Sequence, residues 1–312
     1  MFEIKRYTAA DKEVWNAYVR QASNATFLFD RNYMDYHADR FKDHSLMFYK
    51  NGKLHSLLPA NQDGDVLRSH GGLTYGGLIV DQRATAADIL QLFKELNEYL
   101  KAHGIQKVYY KPTPWIYHQI PAQEDLYALI NACQAKVVVR NIASVIDMSH
   151  PLKWSRDRHY GANKARTEGI MVEESKDFAA FWQVLEDNLM LTYQAKPVHT
   201  LEEMLLLKSR FPEQIKLYVA KKDSEILGGS LLYITPQVVH SQYISATPEG
   251  KHLHAIDAIF RKILNEDYKD CRYFDFGTSN EQQGKVLNTS LIYQKEGFGG
   301  RGVVYDTYEW DV

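Results

Sequence analysis

The sequence predicts an α/β (α+β) chain of two tandem lobes, residues 1–150 and 151–312, each a mixed, mostly antiparallel sheet flanked by helices. Three observations predict it. The 312 residues, 45% of them apolar, suffice for two cores of ordinary domain size. The element order β-α-α-β-β-β-α-β-α-β can be followed through the second half and again through the first. Between them, SHPLKWSRDRHYGANKARTEG is basic and aromatic rather than a flexible Pro/Ser/Gly linker, which fits a helix or loop joining two lobes that pack rigidly.

The second half is the clearer copy. GIMVEES has the pattern of a strand, and Phe178, Phe181, Trp182, Leu185 and Leu189 then recur at helical spacing. Thr200 and Glu203 stand in capping-box spacing at the head of TLEEMLLLKSRF, which predicts a second helix. IKLYVAKKD and EILGGSLLYIT form a hairpin around Asp223-Ser224, and VVHSQYISA continues the meander. A helix from about His254 to Tyr268, the strand CRYFDFG, a helix near Lys285 to Lys295 and the strand GVVYDTYEW complete the order.

In the first half, FEIKRY is the opening strand, and DKEVWNAYVRQA and RNYMDYHADRF are the two helices. Asn51-Gly52 turns a hairpin. A Gly-rich irregular stretch leads to the helix TAADILQLFKELNEYLKAHG, with Thr85 as N-cap and Gly104 past its last turn. The strand IQKVYYKP, the helix EDLYALINAC and the strand KVVVRNIASVIDM close the lobe.

Composition excludes several function classes. Thirty-seven Lys and Arg against 39 Asp and Glu give a formal net charge of −2, so no bulk field recruits nucleic acid, and a tRNA contact would need a local patch. No stretch approaches the roughly 18 apolar residues of a membrane span, and the first residues have no apolar h-region, which leads us to expect a cytoplasmic protein. Cys133 and Cys271 lack a CxxC context and are expected to be buried free thiols. No HExxH, GxSxG, Walker A or EF-hand pattern occurs, and no metal is predicted.

YFDFGTSNEQQGKVLNTSLIYQKEGFGGR, with Asp-Phe-Gly on a strand, a helix, and Lys before Gly-Phe-Gly, resembles the ending of the Fem-type aminoacyltransferases. The element order resembles two tandem GNAT (acyl-CoA N-acyltransferase) lobes, and RHYGANKARTEGIMV resembles the basic segment leading into the second Fem-type lobe. The resemblance implies an enzyme that transfers an acyl or aminoacyl group to an amine or hydroxyl of a cell-envelope or polysaccharide precursor. It implies acyl-CoA as donor, with aminoacyl-tRNA as the alternative, and a small-molecule or nucleotide-linked acceptor. GNAT enzymes hold the CoA pyrophosphate on a Gln/Arg-x-x-Gly-x-Gly/Ala loop, whereas this chain has ATPEGKHLHAIDA with Gly250 as its sole glycine. Lys251 and the helix start near His254 remain as anion-binding groups. That departure also motivates a second reading, a non-catalytic binding module for a nucleotide-linked or glycan ligand.

Acyl transfer needs a neutral nucleophile, a stabilised oxyanion and a proton route. The resemblance places Lys295 as a cation beside the donor. Asp275, between Phe274 and Phe276, is either a base of raised pKa or a helix cap. His70 and Tyr75 lie in the glycine-bracketed run SHGGLTYGGLIV, a candidate ligand loop or a tight turn. Lys164 and Arg166, with Arg156 and Arg158, are candidates for a diphosphate or a solvated helix face. Alternation puts His240 and Gln242 on one face of their strand and Tyr243 on the other, and Gly228-Gly229 on the neighbouring strand permit close backbone approach.

Overall fold

The computed structural model describes residues 1–312, the side chain of Tyr193 excepted. The chain divides into two compact units. One comprises Met1–Asn141, Gln282–Val286 and Val304–Val312, the other Ile142–Glu281 and Leu287–Val303.

In the first unit, β1 (Glu3–Arg6) is followed by α1 (Lys12–Gln21) and the short α2 (Arg31–Met34), which passes into a 3-10 turn at Asp35–His37. β2 (Leu46–Lys50) and β3 (Lys53–Leu58) form the expected hairpin, with Asn51 and Gly52 both at positive φ. The Gly-rich stretch is less irregular than its composition implies, holding β4 (Asn61–Asp63), β5 (Val66–Arg68) and β6 (Ile79–Val80). Next come α3 (Ala86–Ala102), β7 (Lys107–Tyr110), α4 (Glu124–Asn131) and β8 (Lys136–Asp147), whose last six residues belong to the second unit. One sheet runs β1-β2-β3-β6, antiparallel throughout. β4, β5 and β7 form a second, antiparallel then parallel.

α3 shows how local sequence and packing agree. Thr85 Oγ1 accepts the Asp88 N–H at 3.2 Å, and Gly104 at φ +74° lies just past the C-terminus. Ile89, Leu92, Phe93, Leu96 and Leu100 are buried against Leu67, Val108 and Tyr110 of the neighbouring strands. At about 1.5–3 kcal/mol for each large apolar side chain fully buried, that face holds the helix in place.

The second unit opens with α5 (Arg156–Thr167) within the basic joining segment. β9 (Met171–Ser175), α6 (Phe178–Tyr193), α7 (Leu201–Arg210), β10 (Ile215–Lys222), β11 (Glu225–Ile234) and β12 (Val238–Ala246) follow the predicted order. A short helix, α8 (Pro248–His252), precedes the helix expected from about His254 to Tyr268, which is α9 (Ala255–Lys262) continued by a π-helical turn at Ile263–Asp267. His254 in the left-handed region, φ +59°, separates the two helices. β13 (Tyr273–Thr278) is followed by the pair β14 (Asn280–Glu281) and β15 (Val286–Leu287), of which β15 occupies residues expected to start a helix. α10 begins only at Thr289 and ends at Gly297, because Asn288 Oδ1 caps the Leu291 N–H at 2.9 Å. β16 (Arg301–Asp311) is the last strand, and its residues from Val304 onward belong to the first unit, where Tyr308–Asp311 pair antiparallel with β7.

The sheet of this unit runs β8-β13-β12-β11-β10-β9. Its neighbours are antiparallel except β12 and β13, which are parallel. α9 packs Ile256, Ile259 and Phe260 on Val239, Phe274 and Phe276. The expected architecture, a mixed and mostly antiparallel sheet with helices in each half, is the one observed.

Candidate active site

The parallel contact between β12 and β13 is only three residues long, Val238–His240 against Tyr273–Asp275. Two features end it. In β12, Leu231 faces Tyr243 and Leu232 faces Ser241, so Gln242 is an extra residue, a β-bulge that bends the strand. In β13, Gly277 sits at φ +72°, and its N–H donates to Asp275 Oδ1 at 2.7 Å, a turn that carries the chain away from β12. The strands part, and a cavity of about 390 Å3 fills the gap, with Ile244, Ser245 and Ala246 on one side and Phe276 and Lys295 on the other.

Two predicted residues, His240 and Asp275, meet at the last rung, outside the residues that line the cavity, and a third, Lys295, reaches the turn just beyond it. His240 Nδ1 lies 2.9 Å from Asp275 Oδ2. Asp275 has no exposed surface, and the bond to Gly277 uses its other oxygen. A carboxylate only accepts, so Nδ1 carries the proton, and in the neutral ring Nε2 is left as an acceptor. Lys295 is 5% exposed on α10, and its Nζ donates to the carbonyls of Gly277 at 2.9 Å and Thr278 at 2.8 Å. Burial lowers its pKa from 10.5 to about 8, opposed by the Asp275 charge. An ammonium has three donors, so two carbonyls leave one for a ligand in the cavity.

The other candidates are placed as follows. Lys251 lines the same cavity and bonds Asn188 Oδ1 at 2.5 Å. His254 precedes the first residue of α9, its Nδ1 3.0 Å from Asp257 Oδ2, and Asp257 Oδ1 accepts from Arg158 Nη1 at 2.7 Å. Arg158, expected among the diphosphate ligands, is therefore committed to a buried carboxylate. Lys164 is half-buried and Arg166 exposed on α5. Tyr243 packs on Trp182, and its hydroxyl meets His199 Nδ1 at 2.7 Å, while burial pushes the phenol up to about 12. A Cβ on Gly228 would lie 3.0 Å from Ala246 Cβ, and one on Gly229 2.5 Å from Phe181 Cδ2, so both glycines serve protein packing. In the first unit, Tyr75 bonds Thr26 Oγ1 at 3.2 Å, and His70 is buried, driven down to about 3 by desolvation and by His37.

Sequence reasoning missed Ser245, Asn188, Asp257 and His199. Ser245 and Asn188 line the gap, Asp257 anchors Arg158, and His199 anchors Tyr243. Asp257 carried a signal, a carboxylate within the otherwise apolar run AIDAIF.

The residues at α8 do not fit a CoA diphosphate. Pro248 has no N–H, the Gly250 N–H donates to Thr247 Oγ1 at 3.0 Å, and Glu249 adds negative charge to the first turn. Gly250 has another use, since a Cβ there would lie 2.0 Å from the Leu227 carbonyl oxygen.

Residues 155–283 match the family model described as acetyltransferase (GNAT) domain. The chain thus carries a GNAT domain, as its element order implied, and its fold is GNAT-like and Fem-like. Among solved structures it is similar to FemX, with a TM-score of 0.68 and 10% identity over 99% of this chain and 97% of that one. It is also similar to the C-terminal domain of a putative lysylphosphatidylglycerol synthetase from Agrobacterium fabrum, with a TM-score of 0.62 and 13% identity over 96% and 91% of the two chains. A tandem GNAT protein from the clavulanic acid biosynthesis pathway, its structure determined without AcCoA, matches with a TM-score of 0.53 and 11% identity over 100% and 98%. A search of curated proteins finds no match. Among the described residues, no helix is long and apolar enough to cross a membrane. The matched domain supports acyl transfer.

Proposed function

We propose that the chain is a cytoplasmic enzyme that transfers an acyl or aminoacyl group to an amine or hydroxyl on a small or nucleotide-linked precursor of the cell envelope or of a polysaccharide. The observation that carries this reading is the convergence of Lys295, His240 and Asp275 at the point where β12 and β13 separate. The acyl carbonyl sits in the gap. Lys295, held by two carbonyls, directs its third N–H to the oxygen on which negative charge develops. His240 Nε2 takes the proton of the attacking amine or hydroxyl as the new C–N or C–O bond forms, and returns it to the leaving group as the old acyl bond breaks. Asp275 touches no substrate; it holds the ring and stabilises the imidazolium that forms.

The donor is an activated acyl ester whose anionic part rests somewhere other than the start of α8. That favours an aminoacyl ester such as aminoacyl-tRNA over acyl-CoA, although the net charge of −2 means that the tRNA would be held by a local patch. The test is a transfer assay crossing aminoacyl-tRNAs and acyl-CoAs with nucleotide-linked sugars and peptides, read by product mass. Transfer that disappears in Lys295→Met supports the reading. Ligand protection without turnover by any donor would favour the binding-module reading, and turnover unchanged in both Lys295→Met and His240→Ala would overturn the assigned roles.

A further inference from the structure

A second cavity, of about 280 Å3, lies in the first unit, bounded by Tyr7, Thr8, Arg31, Asp35, Phe41 and His70. It contains a charged group with unused capacity. The Arg31 side chain is 2% exposed, and its Nη1 donates to Asp43 Oδ2 at 2.7 Å and to Asp35 Oδ1 at 3.4 Å. Its Nε and Nη2 are buried and, among the described residues, have no hydrogen-bond partner. Unmet buried donors cost about 1–3 kcal/mol each, more for a charged group, so the fold keeps this arrangement against a penalty that a bound acceptor would remove. The Tyr7 ring covers the guanidinium at 3.5 Å and the Trp15 ring lies 4.5 Å from it, so an acceptor meets the guanidinium at its edge, where a shift of the side chain brings Nε and Nη2 to the cavity.

The two carboxylates differ. Asp43 is satisfied, accepting from the Ser45 N–H at 2.9 Å and the Ser45 hydroxyl at 3.0 Å as well as from Arg31. Asp35, its side chain 39% exposed at the rim, accepts only the long bond from Arg31 among the described residues and keeps lone pairs for a cation. An acceptor-seeking guanidinium edge beside an under-used carboxylate matches a ligand with one negative and one positive group close together. Asp35 and Asp43 offset the charges of Arg31 and of Arg6, which also lines the cavity, so a phosphate dianion meets no net positive charge there. The volume falls below the roughly 300–1,000 Å3 of drug-sized sites, so the occupant is small.

We propose that this cavity binds a free α-amino acid, its carboxylate on Arg31 Nε and Nη2 and its ammonium on Asp35, with Tyr7 and Phe41 flanking the side chain. The inference does not depend on the transfer reaction, because its readout is binding.

Isothermal titration and thermal shift with the twenty amino acids, chloride and phosphate test it. At least one amino acid is expected to bind saturably. Its amide, lacking the carboxylate, and its α-hydroxy analogue, lacking the amine, should each bind at least tenfold more weakly. Asp35→Asn, at the rim, should weaken binding at least tenfold, and Ala38→Trp, which fills the mouth, should abolish it. The proposal is overturned if no amino acid binds at millimolar concentration, if only inorganic anions protect, or if both variants bind as the parent does.

Discussion

His240 and Asp275 meet at 2.9 Å on the last paired rung between β12 and β13, and one step beyond it the two strands separate. The pair is thus fixed at the apex of the gap by main-chain register rather than by a loop. Such placement suits a base whose ring must keep one tautomer.

Asp275→Asn should leave the fold largely intact and reverse the histidine. Asparagine can still accept the Gly277 N–H with its carbonyl, but its amide nitrogen must then donate to Nδ1, which moves the ring proton to Nε2 and removes the acceptor. We expect kcat to fall by about 100-fold or more with KM little changed. Steady-state kinetics with unfolding curves separate this from a stability effect, and a drop confined to stability would remove Asp275 from the mechanism.

Lys295→Met should abolish most transfer, by roughly 100- to 1,000-fold, since one directed donor at a developing oxyanion contributes on that scale. The thermal midpoint should be retained or raised, because a methionine of similar length carries no buried charge. A Lys295→Met enzyme of normal rate would show that the residue only ties α10 to the main chain of Gly277 and Thr278.

The pH dependence of stability carries a sign. With the folded pKa near 8 and the ordinary lysine value 10.5, the unfolded state binds more protons between those limits. Stability contributed by Lys295 is therefore present above about 10.5 and lost as pH falls through 8, by about 3 kcal/mol in total. Urea unfolding of the parent and of Lys295→Met at pH 7 and pH 10 isolates this contribution. The stability difference between the two proteins should narrow or reverse as pH rises, whereas a constant difference would mean that burial does not penalise the ammonium.

Gly250→Ala is expected to destabilise the second unit by about 1–3 kcal/mol or more, because the new Cβ would lie 2.0 Å from the backbone carbonyl of Leu227, which cannot swing away. Gly52→Ala places its Cβ in open space and should incur only the cost of its φ of +72°. Denaturant midpoints of the two variants test whether close approach or φ governs each glycine.

The order of elements was legible in the sequence because it depends on local signals: helical spacing of apolar residues, capping pairs at Thr85 and Thr200, and turn residues at Asn51-Gly52 and Asp223-Ser224. The Asp-Phe-Gly strand and Lys295 were legible for the same reason, since each lies in a short contiguous motif. One boundary failed because a single residue set it: Asn288 as a cap delayed α10, whereas the helix expected from about His254 starts at Ala255 as its spacing implied. What only the tertiary structure decided is which residues meet. His240 and Asp275, 35 positions apart, share a rung because parallel strands are brought together by a crossover whose register no local pattern encodes. The same folding assigned Gly228, Gly229 and Gly250 to packing and tied Arg158 to Asp257, since whether a glycine or a charge faces a ligand or the protein depends on which distant segment arrives beside it.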